Sequence, residues 1–158
     1  MKTSITHGEH ILSLNRNKIF FPEGIIGFEE HKKYRIVNEK SKEPFFWLQS
    51  QKNPEINFII IDPLEFKTDY KPALSELDKL ALQISDVNEC LCHVIVCVPQ
   101  GSDQISANLL APLMFNRKKN ICRQVVLQEQ DYSIQHLVLD EMLKKIEDKN
   151  VSSFAQAK

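Results

Sequence analysis

The chain has 158 residues, the length of one domain or of one domain with a tail. Leu, Ile, Val and Phe make up about a third of it, well above the roughly one-fifth level at which chains tend to stay disordered. Lys and Arg total 20 against 21 for Asp and Glu. This balance argues against a general binder of nucleic acid or anionic membrane, because such domains are usually strongly basic. No apolar stretch approaches the ~18 residues of a membrane span, and the N-terminus lacks the apolar region of a signal peptide.

Four cysteines occur, at positions 90, 92, 97 and 122. They lack the dense, even spacing of a disulfide scaffold, and three of them lie in or beside one apolar segment that resembles a strand. We therefore expect a reducing, cytoplasmic compartment, in which the cysteines act mostly as small core side chains.

Short apolar segments separated by turn residues predict a series of strands in the first half of the chain. The predicted strands are 11–14, 19–21, 34–37, 45–48 and 58–61. The segment 22–27 contains one proline and two glycines, which predicts a structured loop, and the residues after it, 28–33, have the length of one helical turn. The continuous apolar run at 58–61 predicts a strand that is covered on both faces.

A mid-chain helix is predicted to begin after Ser75, because Ser75 and Asp78 have the spacing of a capping box. Its apolar side is expected to consist of Leu77, Leu80 and Ala81. Further strands are predicted at 91–98, 105–110, 113–115 and 121–127, the last two joined as a hairpin. Helical spacing begins at Leu137 and continues through Leu139, Met142, Leu143 and Ile146, which predicts a terminal helix followed by a mobile tail.

Eight or nine short strands with one central and one terminal helix predict a mainly β protein with the form of a small antiparallel barrel or sandwich. The regular alternation of strands and helices that a doubly wound sheet needs is absent. We predict a β-barrel-like domain over residues 1–140, followed by a C-terminal helical extension and flexible tail over residues 141–158.

Residue patterns that carry chemistry are few. The four glycines cannot form a dinucleotide- or phosphate-binding loop. His7 and His10 have the spacing of a metal-binding pair, but no third ligand is nearby, which favours solvated histidines. Cys90, Cys92 and His93 form the other metal candidate, yet on a strand His93 points away from both cysteines. We therefore expect no catalysis, no metal and no cofactor, and we expect the function to reside in a surface.

Six segments, in order and at matching spacing over roughly residues 3–140, resemble the flagellar assembly factor FliW family. One such segment alone would be a weak signal, whereas six together are specific. The segments are 21–29 (FPEGIIGFE), 44–50 (PFFWLQS), 58–63 (FIIIDP), 106–112 (SANLLAP), 124–127 (QVVL) and 131–136 (DYSIQH).

The resemblance implies a small β-barrel-like fold and a non-enzymatic regulator that switches between protein partners. Proteins of this family bind flagellin in the cytoplasm, and they also bind the RNA-binding regulator CsrA and stop it from repressing translation of flagellin mRNA. When flagellin is exported, the freed family member captures CsrA; when flagellin accumulates, it occupies the family member and repression resumes. The implied partners are flagellin and CsrA, with no direct contact to nucleic acid or membrane.

Two acidic clusters with apolar neighbours are candidates for contacting such partners, because apolar anchors rimmed by charge are typical of protein interfaces. The alternative for the first cluster is that its apolar residues fill the end of the barrel while its glutamates are solvated. The candidate residues are Glu23, Ile25, Ile26, Phe28, Glu29 and Glu30 in the first cluster, and Glu65, Asp69 and Tyr70 in the second.

Two other functions stay open on the sequence alone. A barrel of about eight strands can hold a small ligand or an active site in its mouth, and a filled interior would count against that function. The basic turn at Arg117, Lys118 and Lys119 is suited to RNA, which predicts steep salt dependence; a solvated hairpin tip is the simpler interpretation of the same residues.

Overall fold

The computed structural model describes residues 10–101, 104–128 and 130–138. Within these residues nine strands form antiparallel pairs, and one α-helix and four short 3₁₀-helices connect them. The strands are β1 (Ile19–Phe20), β2 (Lys33–Val37), β3 (Phe46–Ser50), β4 (Asn57–Ile61), β5 (Cys90–Cys97), β6 (Ser106–Ala107), β7 (Leu113–Asn116), β8 (Cys122–Gln124) and β9 (His136–Leu137); the α-helix is α1 (Glu76–Leu82), and the 3₁₀-helices are His10–Ser13, Lys40–Lys42, Pro63–Glu65 and Val87–Glu89.

Strands β1 to β5 pair in chain order, and β5 is long enough to have two neighbours on its other side. Its first half pairs with β7 and its last two residues pair with β6; β7 continues to β8, and β6 to β9. The segment before β8 returns to β1, where the Phe20 N–H donates to the Asn120 carbonyl at 3.1 Å and Phe20 forms a parallel bridge with Ile121. The ring β1–β2–β3–β4–β5–β7–β8 therefore closes, which confirms the predicted mainly antiparallel, barrel-like fold.

Side chains fill the interior of this ring. The alternation of a strand sends Phe46 of β3 inward to 1% exposure, whereas its neighbour Trp47 stays half-buried on the other face. Phe21 lies against Tyr34 and Phe115, with ring centroids 5.4 and 5.9 Å apart. Each large side chain buried in this way stabilises the fold by roughly 1.5–3 kcal/mol, so the ring is a packed core.

Two further apolar clusters lie outside the ring. One joins Phe66, Tyr70 and Val138 to Ile61 of β4 and brings the 3₁₀-helix Pro63–Glu65 and β9 against the sheet. Ile60, the residue before Ile61, belongs to the ring interior. The strand β4 is therefore covered on both faces, as predicted. The other cluster lies beneath α1 and consists of Leu82, Cys90, Met114, Val125 and Leu127.

Three predicted strands differ from the structure, and the one predicted over 121–127 shortens to β8 (Cys122–Gln124). Residues 11–13 belong to the 3₁₀-helix His10–Ser13 instead and Leu14 follows it, because the three-residue spacing of Ile11 and Leu14 places both side chains in the core. The strand predicted over 105–110 shortens to β6, because the Asn108 carboxamide accepts the backbone N–H groups of Leu110 and Ala111 at 3.1 Å each and turns the chain.

Helix α1 begins where the capping residues predict, and its apolar side faces solvent. The Ser75 hydroxyl accepts the Asp78 N–H at 3.1 Å, and the Asp78 carboxylate accepts the Ser75 N–H at 3.2 Å. The apolar side formed by Leu77, Leu80 and Ala81 faces solvent rather than the core, because both leucines are 73% exposed and Ala81 is exposed as well.

The end of the described chain also differs from the prediction. Leu137 belongs to β9, where it pairs with Ser106, so the helical pattern does not begin at this residue. The rest of that pattern, from Leu139 to Ile146, and the extension predicted over 141–158 lie outside the described residues.

Candidate interaction surface

The first candidate cluster occupies the acidic loop, defined as residues 22–30 between β1 and β2. Three backbone hydrogen bonds fold it: Gly24 N–H to Phe21 at 2.9 Å, Phe28 N–H to Ile25 at 2.7 Å, and His31 N–H to Phe28 at 3.0 Å. Gly24 has φ +71°, a left-handed conformation that suits glycine. The acidic loop is therefore a fixed turn structure, as its proline and glycines predict.

The apolar residues of the acidic loop divide between core and surface. Ile25 is 2% exposed and belongs to the ring interior, so it plugs the barrel end. Ile26 is 61% exposed and Phe28 is 37% exposed, although the Phe28 ring lies against Phe58 at 5.1 Å. The plug and the surface anchor proposed for this loop are thus different residues of the same turn.

The glutamates of the acidic loop are exposed, and each has a positive charge or a donor nearby. The Glu29 carboxylate accepts the Gly27 N–H at 3.0 Å, and backbone hydrogen bonds from Gly27 and from Glu29 itself lower the pKa of this carboxyl below its usual value. Glu30 lies 3.6 Å from the Lys52 ammonium. The loop therefore presents an apolar centre with a charged, locally compensated rim.

Strand β8 attaches the acidic loop to α1. The Gln124 carboxamide oxygen accepts the Ile26 N–H at 2.9 Å. The Arg123 guanidinium contacts the Glu23 carboxylate on one side and donates through Nε to Asp78 at 3.0 Å on the other. Two adjacent residues of one strand thus hold both flanking segments in place.

The other end of α1 is anchored on the same hairpin. The buried Asn116 carboxamide, at the end of β7, donates to the Leu82 carbonyl at 2.7 Å, and the Lys119 ammonium donates to the Gln83 carboxamide oxygen at 2.9 Å. With both ends fixed, α1 turns its outer face, defined as Leu77, Leu80 and Ala81, to solvent. Exposed apolar side chains grouped in this way are typical of interaction sites.

The second candidate cluster lies elsewhere on the molecule, against the sheet outside the ring. Tyr70 is 6% exposed, and its hydroxyl donates to the Leu109 carbonyl at 2.6 Å, so this residue supports the surface from beneath. Asp69 is exposed and lies 3.1 Å from the Lys67 ammonium; the hydrogen bond from Lys67 lowers the pKa of its carboxyl. Glu65 is half-buried in a 3₁₀-helix, and Tyr70 packs in a different buried cluster from Ile25.

The outer face of α1 and the role of Arg123 were not anticipated. The spacing of Leu77, Leu80 and Ala81 shows that they share one side of the helix. It does not show whether that side faces the core or solvent, because spacing within a helix carries no information about what packs against it. The only signal for Arg123 was a charged residue within a predicted strand.

Cys90, Cys122 and His93 are buried, Cys92 is half-buried and Cys97 is exposed. Burial raises the pKa of the Cys90 thiol to about 12 and that of the Cys122 thiol well above its usual value, so both stay protonated near neutral pH. The His93 imidazole lies between the rings of Phe46 and Phe115, at 6.2 and 6.1 Å, and points away from Cys92. Among residues 10–101, 104–128 and 130–138 no group of three or more His, Cys, Asp or Glu side chains is arranged to hold a metal ion.

In the described part of the chain, no helix has the length and apolar character required to cross a bilayer. Buried side chains fill the ring interior, which counts against the ligand-holding barrel. These features define a class: small β-barrel-like proteins whose interiors are filled by side chains and whose outer surfaces carry exposed apolar and charged groups.

Comparison with known proteins identifies the family within this class. A family model described as FliW protein matches residues 4–138. The flagellar assembly factor FliW of Caldanaerobacter subterraneus is 42% identical over 125 residues, covering 78% of this chain and 83% of that protein. The flagellar assembly factor FliW of Ruminiclostridium cellulolyticum is 36% identical over 146 residues, or 92% and 99% of the two chains. The chain belongs to the FliW family of flagellar assembly factors.

A solved structure supports the same assignment at the level of the fold. The crystal structure of a flagellar assembly factor FliW superimposes with a TM-score of 0.72 at 30% identity, covering 78% of this chain and 86% of that one.

Proposed function

We propose that this flagellar assembly factor is a non-catalytic, cytoplasmic switch between two protein partners, flagellin and CsrA. Bound to CsrA, it prevents repression of flagellin mRNA translation; bound to flagellin, it leaves CsrA free to repress. Membership of the FliW family supports this proposal, as do the buried, protonated thiols at Cys90 and Cys122.

The observation that carries the proposal is the exposed apolar surface formed by the acidic loop and the outer face of α1. Ile26, Leu77 and Leu80 are all more than half exposed, yet the segments that bear them are fixed by Arg123 and Gln124. Fixed apolar anchors with a charged rim suit protein recognition, because little conformational entropy is lost on binding. The rim glutamates add steering toward a basic, RNA-binding partner such as CsrA.

A first experiment tests the partners themselves. The purified protein is immobilised and offered CsrA and flagellin separately, and then both together. We expect one complex with each partner, and we expect flagellin to displace CsrA. Retention of neither partner contradicts the proposed function.

A second experiment tests the surface with matched variants. Ile26→Asp should weaken binding of at least one partner by about tenfold or more, because a charge replaces an anchor, whereas Ile134→Asp should leave both affinities unchanged. The control is matched because Ile134 is 58% exposed, close to the 61% of Ile26. Equal effects of the two substitutions would remove the acidic loop from the interface without affecting the choice of partners.

The second candidate cluster stays a separate proposal. Asp69 is exposed, so its charge can be reversed without disturbing the core, and Asp69→Arg tests whether the other partner binds at this cluster.

Direct RNA binding by the basic turn at Arg117, Lys118 and Lys119 is tested by a gel shift of flagellin mRNA without CsrA. We expect no shift at physiological salt.

A further inference from the structure

The outer face of the first three strands carries positive charge. The alternation of β2 directs Lys33 and Arg35 outward and buries the residues between and after them. Phe20 of β1 is the cross-strand neighbour of Lys33, and Gln49 of β3 is the neighbour of Arg35. We call this surface the cationic face, and its residues are Lys18, Phe20, Lys33, Arg35, Gln49 and Gln51.

Part of the cationic face is concave. A depression with a volume of about 390 Å³ is lined by Lys18, Phe20, Lys33 and Gln51, among others. The Phe20 side chain is 39% exposed, and the Gln51 carboxamide is held in place because it donates to two backbone carbonyls, at 2.7 and 3.0 Å. The depression therefore combines an accessible aromatic ring with two ammonium groups.

The charges of the cationic face are not neutralised within the described part of the chain. There, neither the Lys18 nor the Lys33 ammonium has an ion-pair partner. Arg35 donates to a neutral carboxamide at 3.0 Å, which leaves its charge uncompensated. Glu30 of the adjoining acidic loop is paired with Lys52 instead. In a chain of net charge −1, the face is thus a local excess of positive charge.

Such a surface suits an acidic segment of a protein. Lys33 and Arg35 are two residues apart on one strand, or roughly 7 Å, which is also the distance between carboxylates on alternate residues of an extended partner. Phe20 offers an apolar contact beside the charges, and this combination is typical of protein interfaces. A nucleic acid would meet the same cations, but the balanced charge of the whole chain counts against it.

Of the two partners proposed above, flagellin suits the cationic face better than CsrA does. An RNA-binding protein presents positive charge, which Lys33 and Arg35 repel and the acidic loop attracts. The acidic loop, residues 22–30, connects Phe20 to Lys33 along the chain, so the two surfaces share a border. A segment bound on the cationic face would therefore crowd a partner on the loop, in agreement with displacement of one partner by the other.

We propose that the cationic face is the docking surface for an acidic segment of flagellin, an inference that rests on the proposed function. Carboxylates of that segment meet Lys18, Lys33 and Arg35, and an apolar side chain between them packs on the Phe20 ring.

Charge reversal at the centre of the cationic face tests the location. Lys33→Glu should weaken the binding of flagellin about tenfold or more, mainly by slowing association, and should not weaken the binding of CsrA. The matched control is Lys118→Glu, because Lys118 is also an exposed lysine but lies in the β7–β8 turn, and it should change neither affinity. Equal affinities of wild type and Lys33→Glu for flagellin overturn this inference and leave the proposed function standing. Failure of the wild-type protein to bind flagellin removes both.

Overlapping peptides of flagellin test the chemistry of the occupant. Peptides that bind the wild-type protein but not Lys33→Glu should carry a net negative charge, and their affinity should fall as NaCl is raised from about 50 to 300 mM. A set of neutral or basic peptides contradicts the inference. So does single-stranded RNA that binds the wild-type protein at physiological salt but not Lys33→Glu, because a nucleic acid would then be the occupant.

Discussion

At the scale of single residues, Gly24 holds the acidic loop in a conformation that other residues resist. A Cβ at this position would lie 2.6 Å from the Glu29 Cα and 2.9 Å from its carbonyl oxygen, so backbone would have to move. Gly27 has φ +89° but no atom within 4 Å of such a Cβ. We expect Gly27→Ala to cost about 1–2 kcal/mol, the penalty of the left-handed conformation alone, and Gly24→Ala to cost at least about 1 kcal/mol more.

Urea unfolding of the two alanine variants measures this difference. Equal losses of unfolding free energy in the two variants would mean that the backbone at Glu29 moves at little cost. The acidic loop would then be more flexible than its hydrogen bonds indicate.

Tyr34 predicts a dependence of stability on alkaline pH. Its hydroxyl is buried without a hydrogen-bond partner among the described residues, and burial raises the pKa of this phenol to about 12. Because the pKa is higher in the folded protein, the contribution of Tyr34 to the free energy of unfolding is complete below the pKa of about 10 that tyrosine has in the unfolded chain. It is lost between pH 10 and 12, at about 1.4 kcal/mol per pH unit.

The variant Tyr34→Phe isolates this contribution. Near pH 8 it should be at least as stable as wild type, because an unsatisfied buried hydroxyl is removed. Its advantage in unfolding free energy should grow by about 1.4 kcal/mol at pH 11. An advantage that stays constant between the two pH values contradicts the assignment, since other alkaline effects cancel in the difference.

At the scale of elements, Arg123 couples three segments: β8, the acidic loop and α1. Its partner Asp78 is only 14% exposed, whereas Glu23 is 68% exposed. We expect Arg123→Met to cost about 1–3 kcal/mol, because it leaves a half-buried carboxylate without its cation. The exposed Glu23 pair contributes little of this, since surface ion pairs are typically worth 0–1 kcal/mol.

A double-mutant cycle with Asp78→Asn, read by urea unfolding, gives the coupling energy directly. The control is Arg35→Met, which removes a half-buried arginine that donates to the neutral Gln49 carboxamide at 3.0 Å. A loss at Arg123 no larger than at Arg35 would show that the ion pair does not hold the segments together.

Elements formed by local chemistry could be predicted from the sequence, and their directions could not. The capping residues Ser75 and Asp78 place the start of α1 correctly because both partners lie within one turn. The side that faces the core is set by β8 and the β7–β8 turn, more than thirty residues away, so the spacing of Leu77 and Leu80 gave no indication that their side faces solvent. The same limit applies to Ile25 and Ile26, since adjacent isoleucines give no local signal of which one is buried.

At the scale of the whole molecule, the strand count and the barrel-like form followed from turn spacing, and six segments in register identified the family. The closure of the ring could not be predicted, because no local sequence pattern around Phe20 or Ile121 indicates that these residues pair. The division of one edge of β5 between β7 and β6 could not be predicted either, since a continuous apolar strand has the same sequence pattern whether one strand or two pair with that edge.

The seam between Phe20 and Ile121 has a consequence for synthesis of the protein. The two residues are 101 positions apart (121 minus 20), and pairings of such high sequence separation form slowly. While the ribosome is still adding the hairpin β7–β8, the outer edge of β1 has no strand to meet, and an unpaired edge invites contacts with other chains. A nascent chain that stalls before Ile121 therefore keeps this edge open, and premature termination there should yield aggregates rather than a smaller working protein.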